Sequence, residues 1–188
     1  MITKMGRVYR SSMQGLIDFL FEPGVRAAHT DPHVVAAYEP VVVGDRAGTA
    51  VARKMLAMDL DNPRVMLVPE VTEKFVIHVT VTAAPEDGVL HEDTWRAIAE
   101  SIAESIAEHL GFDEDTPGTP VRWVGVHHGV TRNGHDRIHL VTNRVAEDGR
   151  MHRFPRPPGV MLNEVRQNTE IVHGLRRVGH RPRLRQAS

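Results

Sequence analysis

The densest chemistry in the chain lies in one stretch, Gly125-Val-His-His-Gly-Val-Thr-Arg-Asn-Gly-His-Asp-Arg-Ile-His-Leu-Val141, which holds His127, His128, His135 and His139 beside Arg137. In a strand that starts near Arg137, alternation places Arg137, His139, Val141 and Asn143 on one face. The Asn133-Gly134 pair is a tight-turn signal, so a hairpin is expected, and it would bring His128 beside Arg137 and His139. His78, on another alternating segment, points to a polar face that can be the same one. Imidazoles from adjacent strands can hold a divalent metal, and such an ion neutralises and polarises a phosphate. The competing reading is ordinary: most strand histidines are exposed or hydrogen-bonded. The remaining candidates are His29, in His29-Thr-Asp-Pro-His33, and the two tyrosines, Tyr9 and Tyr38, as nucleophiles. Each also has a plain reading, as packing aromatic or loop hydrogen-bonding group.

The composition narrows the field. No residue is cysteine, which excludes a thiol nucleophile, a disulfide framework, a zinc ribbon and an iron–sulfur cluster. At 188 residues, 41% apolar and 25% charged, the chain fits one soluble domain with a sizeable core. No apolar run approaches the ~20 residues of a membrane span. Gly15 to Phe21 is too short for a signal-peptide core and carries Asp18. No membrane partner and a cytoplasmic location are therefore expected. The net charge of −1 is unevenly distributed: residues 1–149 carry 14 Lys+Arg against 22 Asp+Glu, residues 150–188 nine Arg against two Glu. A basic end on an acidic body suggests a polyanion partner, with Arg176, Arg177, Arg181, Arg183 and Arg185 as phosphate-neutralising candidates. Aromatic residues make up 5%, so base stacking is not a strong expectation.

Hydrophobic spacing predicts the elements that must position these groups. Ile2 to Tyr9 reads as a short strand, and Ser12 to Leu20 as a helix capped by Ser11 or Ser12. Val25 to Pro40 reads as irregular. Asp45 to Leu60 reads as a helix with a stripe of Ala47, Val51, Met55 and Met58, ended by Asp61-Asn-Pro63. Lys74 to Thr82 alternates as a strand, with Phe75, Ile77, Val79 and Val81 facing one way. Glu92 to Leu110 is the strongest helix, its stripe Trp95, Ile98, Ile102, Ile106 and Leu110. Val121 to His128 and Arg137 to Val145 form the hairpin, and Met161 to Val178 a last helix with an Arg-rich end. Strands and helices mix without strict βαβ alternation, so the expected class is α+β. We expect one domain over residues 1–178 and a basic, loose tail over 179–188.

In this order and spacing the chain resembles the relaxases, the mobilisation nucleases of conjugative plasmids and integrative elements, in the histidine-hydrophobic-histidine endonuclease superfamily. The resemblance runs from the N-terminus to about Val178. It rests on the Gly15-Leu16 helix with Glu22-Pro-Gly24, His29-Thr-Asp-Pro-His33, Ile77-His78, the Trp95 helix ending Leu110-Gly111-Phe112, Arg122-Trp-Val-Gly-Val-His-His-Gly129, and Asp136-Arg-Ile-His-Leu-Val141 followed by Glu147-Asp-Gly149. The resemblance implies a central antiparallel sheet flanked by helices and single-stranded DNA bound at a transfer origin, with possible relaxosome proteins as partners. It also implies a metal on three histidines (Mn2+ or Mg2+, with Zn2+ able to occupy the site) and a tyrosine that attacks the phosphate and keeps its 5′ end covalently.

Two positions depart from that pattern. The metal triad would fall on His128, position 137 and His139, but residue 137 is an arginine. A guanidinium has no acceptor lone pair and cannot ligate a metal, although it can clamp a phosphate. His135 or His78 would then complete the set. The tyrosine would fall on Phe19, leaving Tyr9, Tyr38 or His29 as displaced nucleophiles. The sequence thus supports a nicking relaxase with an altered site. It also supports a catalytically inactive relative that binds single-stranded DNA or assists a relaxosome, and a bland interaction domain is the third reading.

Overall fold

In a computed structural model, residues 2–5, 12–21, 31–38, 48–72, 74–109, 120–130, 134–151 and 158–176 are described. The chain runs β1 (Ile2–Met5), α1 (Met13–Phe21), β2 (His33–Ala37), α2 (Ala50–Leu67), β3 (Val76–Thr82), a short 3-10 turn (Pro85–Asp87), α3 (Glu92–His109), β4 (Trp123–Val130), β5 (Asp136–Asn143) and α4 (Pro158–Val172). The strands form one sheet in the order β1-β3-β5-β4-β2, with every pairing antiparallel. This is the expected α+β class.

Two apolar layers cover the sheet. On one face Ile77, Val79 and Val81 of β3 and Ile138 and Leu140 of β5 pack on Trp95, Ile98 and Ile102 of α3 and Val165 of α4. On the other, Val76, Val124, Val126 and Val141 pack on Leu16, Ile17 and Leu20 of α1 and Leu56 and Leu60 of α2. The predicted stripe of α3 is the core, with Trp95, Ile98 and Ile102 all fully buried. Gly125 lets α3 come close: a Cβ there would lie 3.0 Å from Ala99 Cβ. Ser12 caps α1, its Oγ accepting from Gly15 N at 3.0 Å, as expected.

Other expectations need correction. The stretch read as irregular contains β2, an edge strand paired to β4. The stripe Val51, Met55 and Met58 points outward, and α2 buries the opposite face, Leu56, Ala57, Leu60 and Pro63. Phe75 belongs to the α1–α2 cluster rather than the face of Ile77, with the Arg64 guanidinium 4.4 Å over its ring. Pro63 does not end α2 but sits inside it. A helical proline has no N–H to offer the carbonyl four residues back, here that of Asp59. Arg122 Nη1 donates to that oxygen at 2.7 Å and also holds Asp59 Oδ1 and the Glu147 carboxylate, so the carbonyl is satisfied from another part of the chain. The last helix starts earlier and ends earlier than its periodicity suggested, before Gly174, whose φ of 62° is left-handed. Tyr9, His29, Leu110, the hairpin tip at 131–133, and Arg177 onward lie outside the described residues.

Candidate active site on the sheet

The site is built at the hairpin end of the sheet face that α1 and α2 cover at its other end. Register assigns the side chains. Thr80 and Val126 flank His139, and Thr82 and Gly129 flank Arg137, so Arg137, His139, Thr80 and His78 share one face. A β-bulge between His127 and Gly129 leaves His128 as the extra residue. Gly129 carries the positive φ of 70° that this turn of backbone needs. His128 thereby packs on His139, ring centroids 4.1 Å apart. His78 Nε2 lies 2.7 Å from His139 Nδ1, the two rings stacked, and Thr80 Oγ1 is 3.2 Å from the same nitrogen. His78, His128 and His139 are all buried. The sequence expectation that His78 and the hairpin share one face holds in this geometry.

Arg137 differs from Arg64 and Arg122. Arg64 and Arg122 are held charged by carboxylates, chiefly hydrogen bonds with Asp61 and with Glu147. For Arg137 burial is the acting influence, and it pushes the guanidinium pKa down. Its Nε is buried with no hydrogen-bond partner among the described residues. A desolvated cation without an acidic neighbour among the described residues is costly to hold and is suited to an incoming anion.

The opposite face at the same end carries a second polar set, one the sequence did not reveal. Asp136, which is 1% exposed, accepts from Trp95 Nε1 at 2.8 Å, Leu90 N at 3.0 Å and His127 Nε2 at 2.6 Å. Burial works to raise its pKa, but these donors outweigh it and hold the carboxyl below the usual range. His33 of β2 stands edge-on to His127 and meets Glu92 at 2.7 Å. Trp95 was readable as core. Its need for an indole acceptor once buried was the signal that pointed toward a partner such as Asp136.

Tyr38 is not brought to the histidines. It follows β2, its N donating to Trp123 O at 2.9 Å, roughly 16 Å along β4 from His128 at about 3.3 Å per residue. Phe19 sits on α1 and is 46% exposed. Arg176 packs on the 3-10 turn, its N donating to Asp87 at 3.0 Å and its guanidinium 3.6 Å from Glu86, so acidic neighbours already engage it. His135 is half-buried just before β5.

The chain matches the family described as Relaxase: MobA/VirD2-like, nuclease domain, over residues 42–175. It belongs to the relaxase family. Among individually curated proteins no match is found. Relaxase domains are nucleases that bind single-stranded DNA at origins of transfer, generally with a divalent metal.

His128 and His139 face each other, but His139 Nδ1 is engaged by His78, a hydrogen-bond separation that makes His78 an orienting neighbour of His139. Among the described residues no group of three His, Cys, Asp or Glu side chains is arranged to hold an ion. What the described residues offer an ion is the facing imidazole pair of His128 and His139, short of a three-histidine cage, with the Arg137 guanidinium on the same face. Among the described residues, no helix of this relaxase is long and apolar enough to cross a membrane.

Proposed function

We propose that this relaxase domain binds single-stranded DNA at a transfer origin and seats one phosphate against Arg137 and the His128–His139 pair, nicking and transferring that strand during plasmid or mobile-element mobilisation. The observation that carries the reading is Arg137: a desolvated guanidinium, its Nε without a hydrogen-bond partner among the described residues, on the face of the family's histidines. A planar guanidinium matches two phosphate oxygens at once. In the transfer step a nucleophile from Tyr9 or His29 forms a bond to phosphorus, Tyr38 standing too far along β4 to reach it. The P–O bond to the 3′ oxygen breaks, that oxygen leaves as a hydroxyl after gaining a proton, and the 5′ phosphate stays on the protein. A divalent ion, Mn2+ or Mg2+ with Zn2+ as a possible occupant, would draw two imidazoles from His128 and His139. His135 is the remaining candidate for a third, and otherwise water and phosphate oxygens complete the shell. Such an ion would supply charge neutralisation at the phosphate. The basic residues Arg177, Arg181, Arg183 and Arg185 would extend the contact with DNA, Arg176 being engaged by Glu86, in a cytoplasmic complex that can include relaxosome proteins.

The second reading is a catalytically inactive binder or relaxosome accessory protein, favoured by Phe19 where the resemblance expects the tyrosine. One experiment treats both. Tag-free protein is titrated with Mn2+ by calorimetry, with and without a single-stranded oligonucleotide, beside His128→Ala, His139→Ala and Arg137→Gln, and the mixtures are run on denaturing gels. We expect DNA affinity that weakens in all three variants and falls with salt, with a slope about one unit shallower in Arg137→Gln. A covalent adduct lost in Tyr9→Phe or His29→Ala names the nucleophile. Binding with no adduct selects the second reading, and DNA binding indifferent to all three site substitutions refutes both.

A further inference from the structure

The bulge that presents His128 is held from behind. His127 and His128 are adjacent in β4 yet serve opposite faces of the sheet: His128 packs on His139, while His127 Nε2 reaches Asp136 at 2.6 Å. Asp136 in turn directly precedes Arg137 in β5. The carboxylate therefore ties the residue before one phosphate-facing group to the residue before the other, across the strand pair. Its second oxygen is fixed by Trp95 Nε1 and Leu90 N, which anchor the tie to α3 and the segment before it. A carboxylate only accepts, so His127 carries its proton on Nε2. Its Nδ1 is buried with no hydrogen-bond partner among the described residues. That leaves Asp136 as the polar contact that fixes the His127 ring.

We propose that Asp136 is a positioning residue, with His127 and Trp95 as its intermediaries, that sets the bulge and so the placement of His128 and Arg137 toward the phosphate. This rests on the phosphate reading given above. The strand pair needs such a device because a bulge interrupts the register that elsewhere assigns side chains to faces. A shift of one residue at this point would exchange the two faces, turning His128 toward the α3 core. Val124 and Val126 fix the register of β4 up to the bulge, but beyond them imidazoles stand on both sides of the sheet, so apolar packing alone does not distinguish the faces there.

The test uses inorganic phosphate and a single-stranded oligonucleotide as probes, with two-dimensional NMR of the histidine ring nitrogens. In Asp136→Asn the amide has one acceptor oxygen for the several donors. We expect the His127 ring nitrogens to report a changed tautomer, the His128 ring signals to move, and DNA affinity to fall about tenfold, the usual scale for an outer-shell partner. His127→Gln, whose amide N–H can reach the same carboxylate, should keep most of the affinity, whereas His127→Leu should lose it. Ile106→Val, at the far end of α3, controls for stability: it lowers the melting temperature without moving the His128 signals. Wild-type DNA binding weakened by Arg137→Gln, together with unchanged His128 signals and affinity in Asp136→Asn, overturns the positioning role alone. Equal affinities for His127→Gln and His127→Leu do the same. If Arg137→Gln has no effect, the phosphate reading fails first.

Discussion

A cation held partly out of water with no carboxylate beside it among the described residues is a local expense that function has to justify. For Arg137 that leads to opposed effects. Arg137→Met keeps the length of the side chain and removes the desolvated charge. Thermal unfolding should show stability unchanged or higher, by at most about 1 kcal/mol because the group is half-exposed and solvent screens it. Titration with single-stranded DNA should show affinity reduced about tenfold, the loss of one charge-assisted contact. Asp136 behaves in the opposite sense. Its carboxyl pKa is depressed in the folded chain by His127, Trp95 and Leu90 N, against the pull of burial. A depressed acid contributes stability in full above the pKa it has when unfolded, and that contribution is lost as pH falls through the folded value. Acid unfolding followed by circular dichroism should therefore be displaced to higher pH in Trp95→Phe, which removes one donor and keeps an aromatic ring.

Among the elements, the bulge in β4 and the outward face of α2 make contrasting predictions. Gly129→Ala must place a Cβ at a φ of 70°. We expect more than about 1 kcal/mol of destabilisation in urea melts, together with loss of the His128–His139 packing in the ring spectra. Met58→Lys, on a side chain 62% exposed, should change stability by no more than about 0.5 kcal/mol. The same two elements show which parts of the fold the sequence could carry. α3 was readable because Trp95, Ile98, Ile102 and Ile106 recur at helical spacing on an otherwise polar segment, so one phase is possible. α2 has two apolar stripes, and spacing cannot say which of Val51-Met55-Met58 or Leu56-Leu60 meets the sheet; α1 and the strands decide that. β2 was missed because His33-Val-Val-Ala-Ala37 is short and has no alternation of its own, being a strand only against β4. The hairpin histidines were readable because an Asn-Gly turn fixes which strands meet, and parity then assigns faces.

At the scale of the molecule, the contacts that sequence could not foretell are those that join distant segments: Trp95 to Asp136, His78 to His139, and Arg122 to Asp59. Local rules read Trp95 as a core aromatic and His78 as a strand histidine, took Pro63 for a helix stop when it lies inside α2, and in each case missed the pairing. The last of these has a consequence for how the chain can change. Because Arg122 Nη1 meets the carbonyl that Pro63 leaves without its helical donor, the two substitutions should not be independent. In a double-mutant cycle, Arg122→Met alone should cost more than it does in a Pro63→Ala background, where the helix supplies its own N–H; we expect a coupling of about 0.5–3 kcal/mol by chemical denaturation. Read as history, the cycle gives a direction of travel. A lineage can restore the helical residue at 63 and only then dispense with the arginine, whereas the reverse order passes through a weakened intermediate, so the arginine should outlast the proline among descendants of this chain.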